Sequence, residues 1–115
     1  MRDFKKLLIW KKGMAIVNEV YKSTVYFPDA ERYGLRSQIT RSAVSIPSNI
    51  AEGSAKKSQK EYRRFAEISL GSAFELETQL LIVEQEGWIP KEKVDNLLAL
   101  TIEEQKMLSA FINRL

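Results

Sequence analysis

The sequence predicts an all-α protein: one domain over residues 1–115, folded as an antiparallel up-down-up-down four-helix bundle. Three observations carry that reading. Apolar residues recur every three or four positions through four stretches, the spacing that lines one face of a helix. Short segments holding proline, glycine or a capping residue separate the stretches, and short connections make neighbouring helices antiparallel. No run alternates apolar and polar residues as a half-buried strand would.

The first helix follows from Leu7, Trp10, Met14, Val17, Tyr21 and Thr24, which step along a single face. The segment "YFPDAERYG" breaks it, because Pro28 cannot continue a helix, and Asp29 is a competent N-cap for a second helix starting near it. The stripe of that second helix is Leu35, Ile39, Ala43, Ile46 and Ile50, and Gly53 stands where a helix-ending glycine belongs. In "GSAKKSQKEY", Ser58 followed by Glu61 reads as the S-x-x-E capping box of a third helix. Its inward positions are Tyr62, Phe65, Ser69, Ser72, Leu76, Leu80 and Val83, with small central residues that admit a close neighbour. Gly87 closes this helix and Pro90 opens the fourth, whose stripe is Val94, Leu97, Thr101, Leu108, Phe111 and Leu115.

Composition excludes several functions. The chain has no cysteine and no histidine, so the disulfide, the thiolate, the commonest zinc ligand and the commonest general base are all missing. Glu75, Glu77, Glu84 and Glu86 resemble a carboxylate metal site only superficially, since the di-iron pattern of bundles needs Glu-x-x-His pairs. They read as a solvated face. Ser54-Ala55-Lys56-Lys57 matches S-x-x-K but lacks the companion motifs of serine-lysine hydrolases, and no phosphate loop, dinucleotide fingerprint or serine elbow occurs. No enzyme, metal or cofactor is expected. The apolar run "LLIW" between lysine pairs is too short for a signal core, and no stretch approaches a membrane span, so a soluble cytoplasmic protein is expected.

The net charge of +3 conceals an uneven distribution. Residues 32–64 carry eight basic side chains against Glu52 and Glu61, whereas residues 65–105 carry nine acids against Lys91 and Lys93. One basic end is the expectation. Arg36, Lys56, Lys57, Lys60, Arg63 and Arg64 are the candidate nucleic-acid-binding residues, since long cationic side chains neutralise phosphates without reading sequence. The start of the third helix adds unpaired amides and a positive dipole end. Against this stands the use of lysine and arginine for solubility alone. No RNA-recognition motif, stacking aromatic array or glycine-rich clamp accompanies the charge. Trp10 falls on an apolar stripe and reads as core, and Trp88 reads as a cap on the bundle end.

The string "SIPSNIAEG" raises a separate question. On a helical wheel, Gln38, Arg41, Ser45, Ser48, Asn49 and Glu52 share an arc about 130° from the core stripe. A face that merely meets water more usually carries lysine and glutamate than short serine and asparagine. These six residues are therefore the candidate oligomer interface, where short polar groups bond across a subunit contact and Arg41 either pairs within that contact or meets phosphate. Pro47 removes one backbone bond inside the same helix, which Ser45 and Ser48 are placed to offset.

At this point the stretch "LRSQITRSAVSIPSNIAEGSAKKSQKEYRRFAEISLGSAFELETQL" resembles the signature region of the four-helix-bundle proteins encoded in intervening sequences of bacterial 23S ribosomal RNA genes. The resemblance extends through "FPDAERYGLRSQ" to "FKKLLIWKKGMAIVNEVYKST", and only the last helix carries no distinctive motif. It implies a ring-shaped homopentamer of antiparallel bundles. A related branch serves as the accessory protein of diversity-generating retroelements, where a basic pentamer engages nucleic acid and a reverse transcriptase. The expected function is thus non-catalytic RNA or other nucleic-acid binding through the basic corner, and the alternative is a protein-interaction scaffold without direct nucleic-acid contact.

Overall fold

The computed structural model describes residues 2–115, and its regular elements are four helices: α1 (Leu8–Ser23), α2 (Leu35–Ser54), α3 (Gln59–Glu86) and α4 (Lys91–Asn113). Each helix packs on its sequence neighbours and α1 closes against α4, which makes an antiparallel four-helix bundle with extents of 43 × 24 × 19 Å. Short 3-10 turns at Phe4–Lys6, Thr24–Tyr26 and Asp29–Glu31 lead into or out of the first two helices. Among the described residues no helix is long and apolar enough to cross a membrane.

The core of α2 is as its spacing predicts: Ile39, Ala43, Ile46 and Ile50 are buried, with Leu35 partly so. In α3, Tyr62, Ser69, Leu76, Leu80 and Val83 point inward together with Ala66 and Ala73, while Phe65 and Ser72 lie at the edge. In α1 the predicted face is displaced. Leu7, Trp10 and Val17 pack partly buried against the core and Thr24 is buried, but the innermost residues of the helix are Ile9, Gly13, Ile16, Val20 and Ser23, and Met14 and Tyr21 are 44% and 53% exposed. Helix α1 is apolar over more than half its circumference, and the β-branched side chains with Gly13 fit the tight interior better than the long ones.

Two boundaries and one cap differ in detail from expectation. Helix α2 begins at Leu35 rather than near Asp29, because Glu31 reaches forward and its Oε1 accepts the Leu35 N–H at 3.1 Å. Ser58 does cap α3, its hydroxyl accepting the Glu61 N–H at 3.0 Å, but the Glu61 carboxylate lies 4.0 Å from Arg64 and completes no reciprocal box. Gly53 is not a terminator: α2 continues to Ser54, and a Cβ at Gly53 would stand 2.7 Å from the Cβ of Phe65. Its role is to let α2 and α3 approach. Gly53→Ala should therefore cost about 1–3 kcal/mol by overpacking, in spite of alanine's better helix propensity. Urea unfolding at fixed protomer concentration measures it, and an unchanged midpoint would mean that the helices separate freely. By contrast Gly87 does end α3, with φ of +72° and its N–H bonded to the carbonyls of Val83 and Glu84.

Aromatic pairs close the two ends. Phe27 meets Trp88 at 5.5 Å where α1 leaves and α4 begins, and Tyr62 meets Phe111 edge-on at 5.5 Å at the opposite end. Trp10 packs partly buried against the core.

Among the described residues one acidic side chain lies in the core. Glu104 of α4 is wholly buried, and neither carboxyl oxygen has a hydrogen-bond partner. It lies against Gly13, where an added methyl would come within 3.2 Å of Oε2 and 3.3 Å of Ile46 and Pro47. Burial pushes its carboxyl up to about 8, with Lys12 pulling the other way. Lys12 itself bridges to Glu103 at 3.2 Å.

Candidate nucleic-acid interface

The antiparallel topology decides which charges meet. The N-terminal segment, the α2–α3 turn and the C-terminus of α4 all lie at one end of the bundle. That end gathers Lys56, Lys57, Lys60, Arg63 and Arg64, as the sequence predicts for this turn, and adds Lys5, Lys6 and Arg114, which sequence order leaves scattered. Lys60, Arg63 and Arg64 occupy the outward face of the first turns of α3, all exposed. Among the described residues Lys57, Lys60 and Arg63 make no ion pair, and Arg64 has only the 4.0 Å contact with Glu61. Solvated cations without carboxylate partners can exchange counterions for phosphates.

The turn is held by a residue the sequence does not single out. Arg2 Nη1 donates to the carbonyls of Ser54, at 3.3 Å, and Lys56, while Nη2 donates to Gln59 Oε1 at 3.3 Å. Its guanidinium also lies 4.3 Å from the centre of the Tyr62 ring. Burial raises the Tyr62 phenol above its ordinary value, with Arg2 opposing. Arg2 thus orders the backbone that presents Lys56 and Lys57. Lys56 in turn lies with its ammonium 5.1 Å from the centre of the Phe65 ring. No periodicity signals these contacts, because they span more than fifty residues of sequence.

Arg36 does not join this group. It sits in the first turn of α2, while the basic corner follows the last, about 27 Å away along the helix axis. Its neighbourhood is the opposite end, where Glu31 lies nearby and the charges are mixed.

The six predicted interface residues divide in two. Gln38, Arg41, Ser48 and Glu52 are exposed on the outer face of α2. Ser45 and Asn49 are half-buried and bond within the chain: Ser45 Oγ lies 2.8 Å from Ser72 Oγ, and Asn49 Nδ2 donates to the Ser45 carbonyl and hydroxyl at 2.8 Å each. Two open grooves flank Arg41, one shared with Tyr21 and Val44 and the other with Gln38 and Glu75. Tyr21 and Val44 are exposed apolar groups beside a polar seam.

The acidic surface of α3 and α4 is partly structural. Glu77 is half-buried and accepts the Gln105 amide at 2.8 Å, and that amide also reaches the Ala73 carbonyl at 3.3 Å. Glu75, Glu84 and Glu86 are exposed.

With this geometry in place, the comparisons with known proteins are informative. The sequence model of the 23S rRNA-intervening sequence protein family matches residues 5–110. No curated protein matches the chain. Among solved structures, the chain is similar to a protein of unknown function from the S23 ribosomal protein family of Bacteroides thetaiotaomicron. The identity is 24%, the match covers 91% of this chain and 98% of that one, and the TM-score is 0.82. That likeness is one of fold.

Proposed function

The chain belongs to the 23S rRNA-intervening sequence protein family, and on that premise we propose that it binds RNA without catalysis, in the cytoplasm, through the basic end of its bundle. The observation that carries this reading is the convergence of Lys56, Lys57, Lys60, Arg63 and Arg64 at one end of the bundle, where among the described residues the 4.0 Å contact of Arg64 with Glu61 is their one ion pair. Such a surface suits phosphate neutralisation, which gives affinity and orientation but little sequence discrimination.

Assembly belongs to the same proposal. In a homopentamer, as the family resemblance implies, each subunit contributes one basic end, and a single RNA meeting several of them gains by avidity. The exposed part of the α2 seam, Gln38, Arg41, Ser48 and Glu52, with Tyr21 and Val44 beside it, is the face we assign to that contact. The direct test is anisotropy of a labelled structured RNA titrated with the intact protein at low salt. Submicromolar binding is expected, and no binding by a protein whose oligomer is intact overturns the proposal.

A second reading draws on a different observation. Phe74, Leu81 and Ile102 are exposed apolar groups on the acidic α3–α4 surface, Phe74 by 53%. They suit a protein partner, such as a reverse transcriptase, better than RNA. Recovery of one stoichiometric protein with no nucleic acid would favour this scaffold function.

A further inference from the structure

At the basic end the N-terminal segment and the α2–α3 turn enclose an open pocket of about 720 Å³. Phe4, Ala51 and Ala55 supply an apolar lining, and Arg2, Lys56 and Lys57 supply the charge. The Phe4 ring is partly exposed and held at 5.4 Å from Trp10. Arg2 is committed to the turn carbonyls and to Tyr62, so it forms a fixed wall. Lys57 is exposed and makes no ion pair among the described residues. An apolar recess containing one aromatic ring, rimmed by cations, is complementary to a group that is flat and apolar at one end and anionic at the other.

An unpaired nucleotide has that chemistry. The volume lies in the range of about 300–1,000 Å³ common to small-ligand pockets, which admits one splayed base. Paired bases keep their π-faces stacked inside the helix, whereas loops and single strands can place them on aromatic side chains. We propose that this pocket takes one unpaired nucleotide of an RNA strand, with the base against Phe4 and the alanines and the phosphate on Lys57. The inference rests on the RNA-binding reading above and narrows it to single-stranded or looped RNA.

The test uses the full-length protein with two probes of equal length, a single-stranded RNA bearing one 2-aminopurine and the corresponding duplex. Charge alone favours the duplex, which carries twice the phosphates. The pocket predicts the reverse, with the strand bound about tenfold more tightly and the 2-aminopurine emission raised as the base leaves the stack of its neighbours. Phe4→Leu keeps apolar volume but removes the ring, and should bring strand and duplex affinities together while leaving the duplex affinity and its salt dependence unchanged. Ala51→Leu, at a half-buried position that lines the pocket, fills the recess and should do the same. Equal affinities in the wild type, or a strand preference that survives both substitutions, would overturn the pocket while leaving electrostatic RNA binding in place. If neither RNA binds at low salt, both readings fall together.

Discussion

Glu104→Met should raise the stability of the protein by about 3 kcal/mol at pH 7, the cost of keeping protonated in the folded chain a carboxyl that ionises freely in the unfolded one. The wild-type carboxyl is fully buried with neither oxygen bonded, so it forfeits its hydration and receives no hydrogen bond in exchange, only the opposing pull of Lys12. Methionine is unbranched and adaptable, which suits a site pressed against Gly13. At a slope of several degrees per kcal/mol for a domain of this size, the melting temperature should rise by about 10 °C or more.

The same group makes stability depend on pH in a direction opposite to that of most carboxylates. Its folded value of about 8 lies above the unfolded 4.5, so between those limits the folded chain holds more protons than the unfolded one. Stability from this group is complete below pH 4.5, declines as pH rises toward 8, and is level beyond it. By pH 7 the loss is about 3 kcal/mol, at 1.36 kcal/mol per unit. Glu104→Gln preserves shape and should flatten that decline. Urea titrations at several pH values and one protomer concentration check both variants. A Glu104→Met protein less stable than wild type would mean that the carboxyl finds a partner in the assembled protein.

The second large effect concerns binding. Changing Lys56, Lys57, Lys60, Arg63 and Arg64 to glutamine should weaken RNA binding by about a hundredfold or more near 0.1 M salt, because each lost single-strand phosphate contact removes roughly 0.7 from the log–log salt slope. The five side chains are outward-facing or in the turn, and none is in the hydrophobic core, so the fold should survive. The matching control neutralises Lys22, Arg32, Arg36, Lys91 and Lys93, five cations nearer the opposite end. Equal losses in the two variants would show that net charge, not the basic end, governs affinity.

The helices and their order were legible in the sequence because periodicity and punctuation agree: Ser58, Gly87 and Pro90 stand at or beside the ends they mark. What failed has physical reasons. The face of α1 is ambiguous in sequence because its apolar residues outnumber those one stripe can bury, and volume then selects Ile9, Gly13, Ile16 and Val20. Gly53 looks like a helix end because both roles of glycine look alike in sequence, and only the position of Phe65 separates them. The step from Thr101 to Leu108 leaves a core position that Glu104 fills. That gap in an otherwise regular stripe was the available signal. Of the candidate site, the five cations around the α2–α3 turn were legible because they are local, whereas Arg2 and Phe4 reach the same corner only through the antiparallel return of the chain. Arg36 was grouped with them by charge alone, and the length of α2 separates it.

The most direct test of the account is the salt dependence of RNA affinity for the wild-type protein, measured by anisotropy across a salt series with the oligomeric state monitored throughout. The account predicts submicromolar binding at low salt and a log–log slope of about −3 or steeper, as several neutralised phosphates require. Affinity that is absent at low salt, or that holds constant as salt rises, would contradict it.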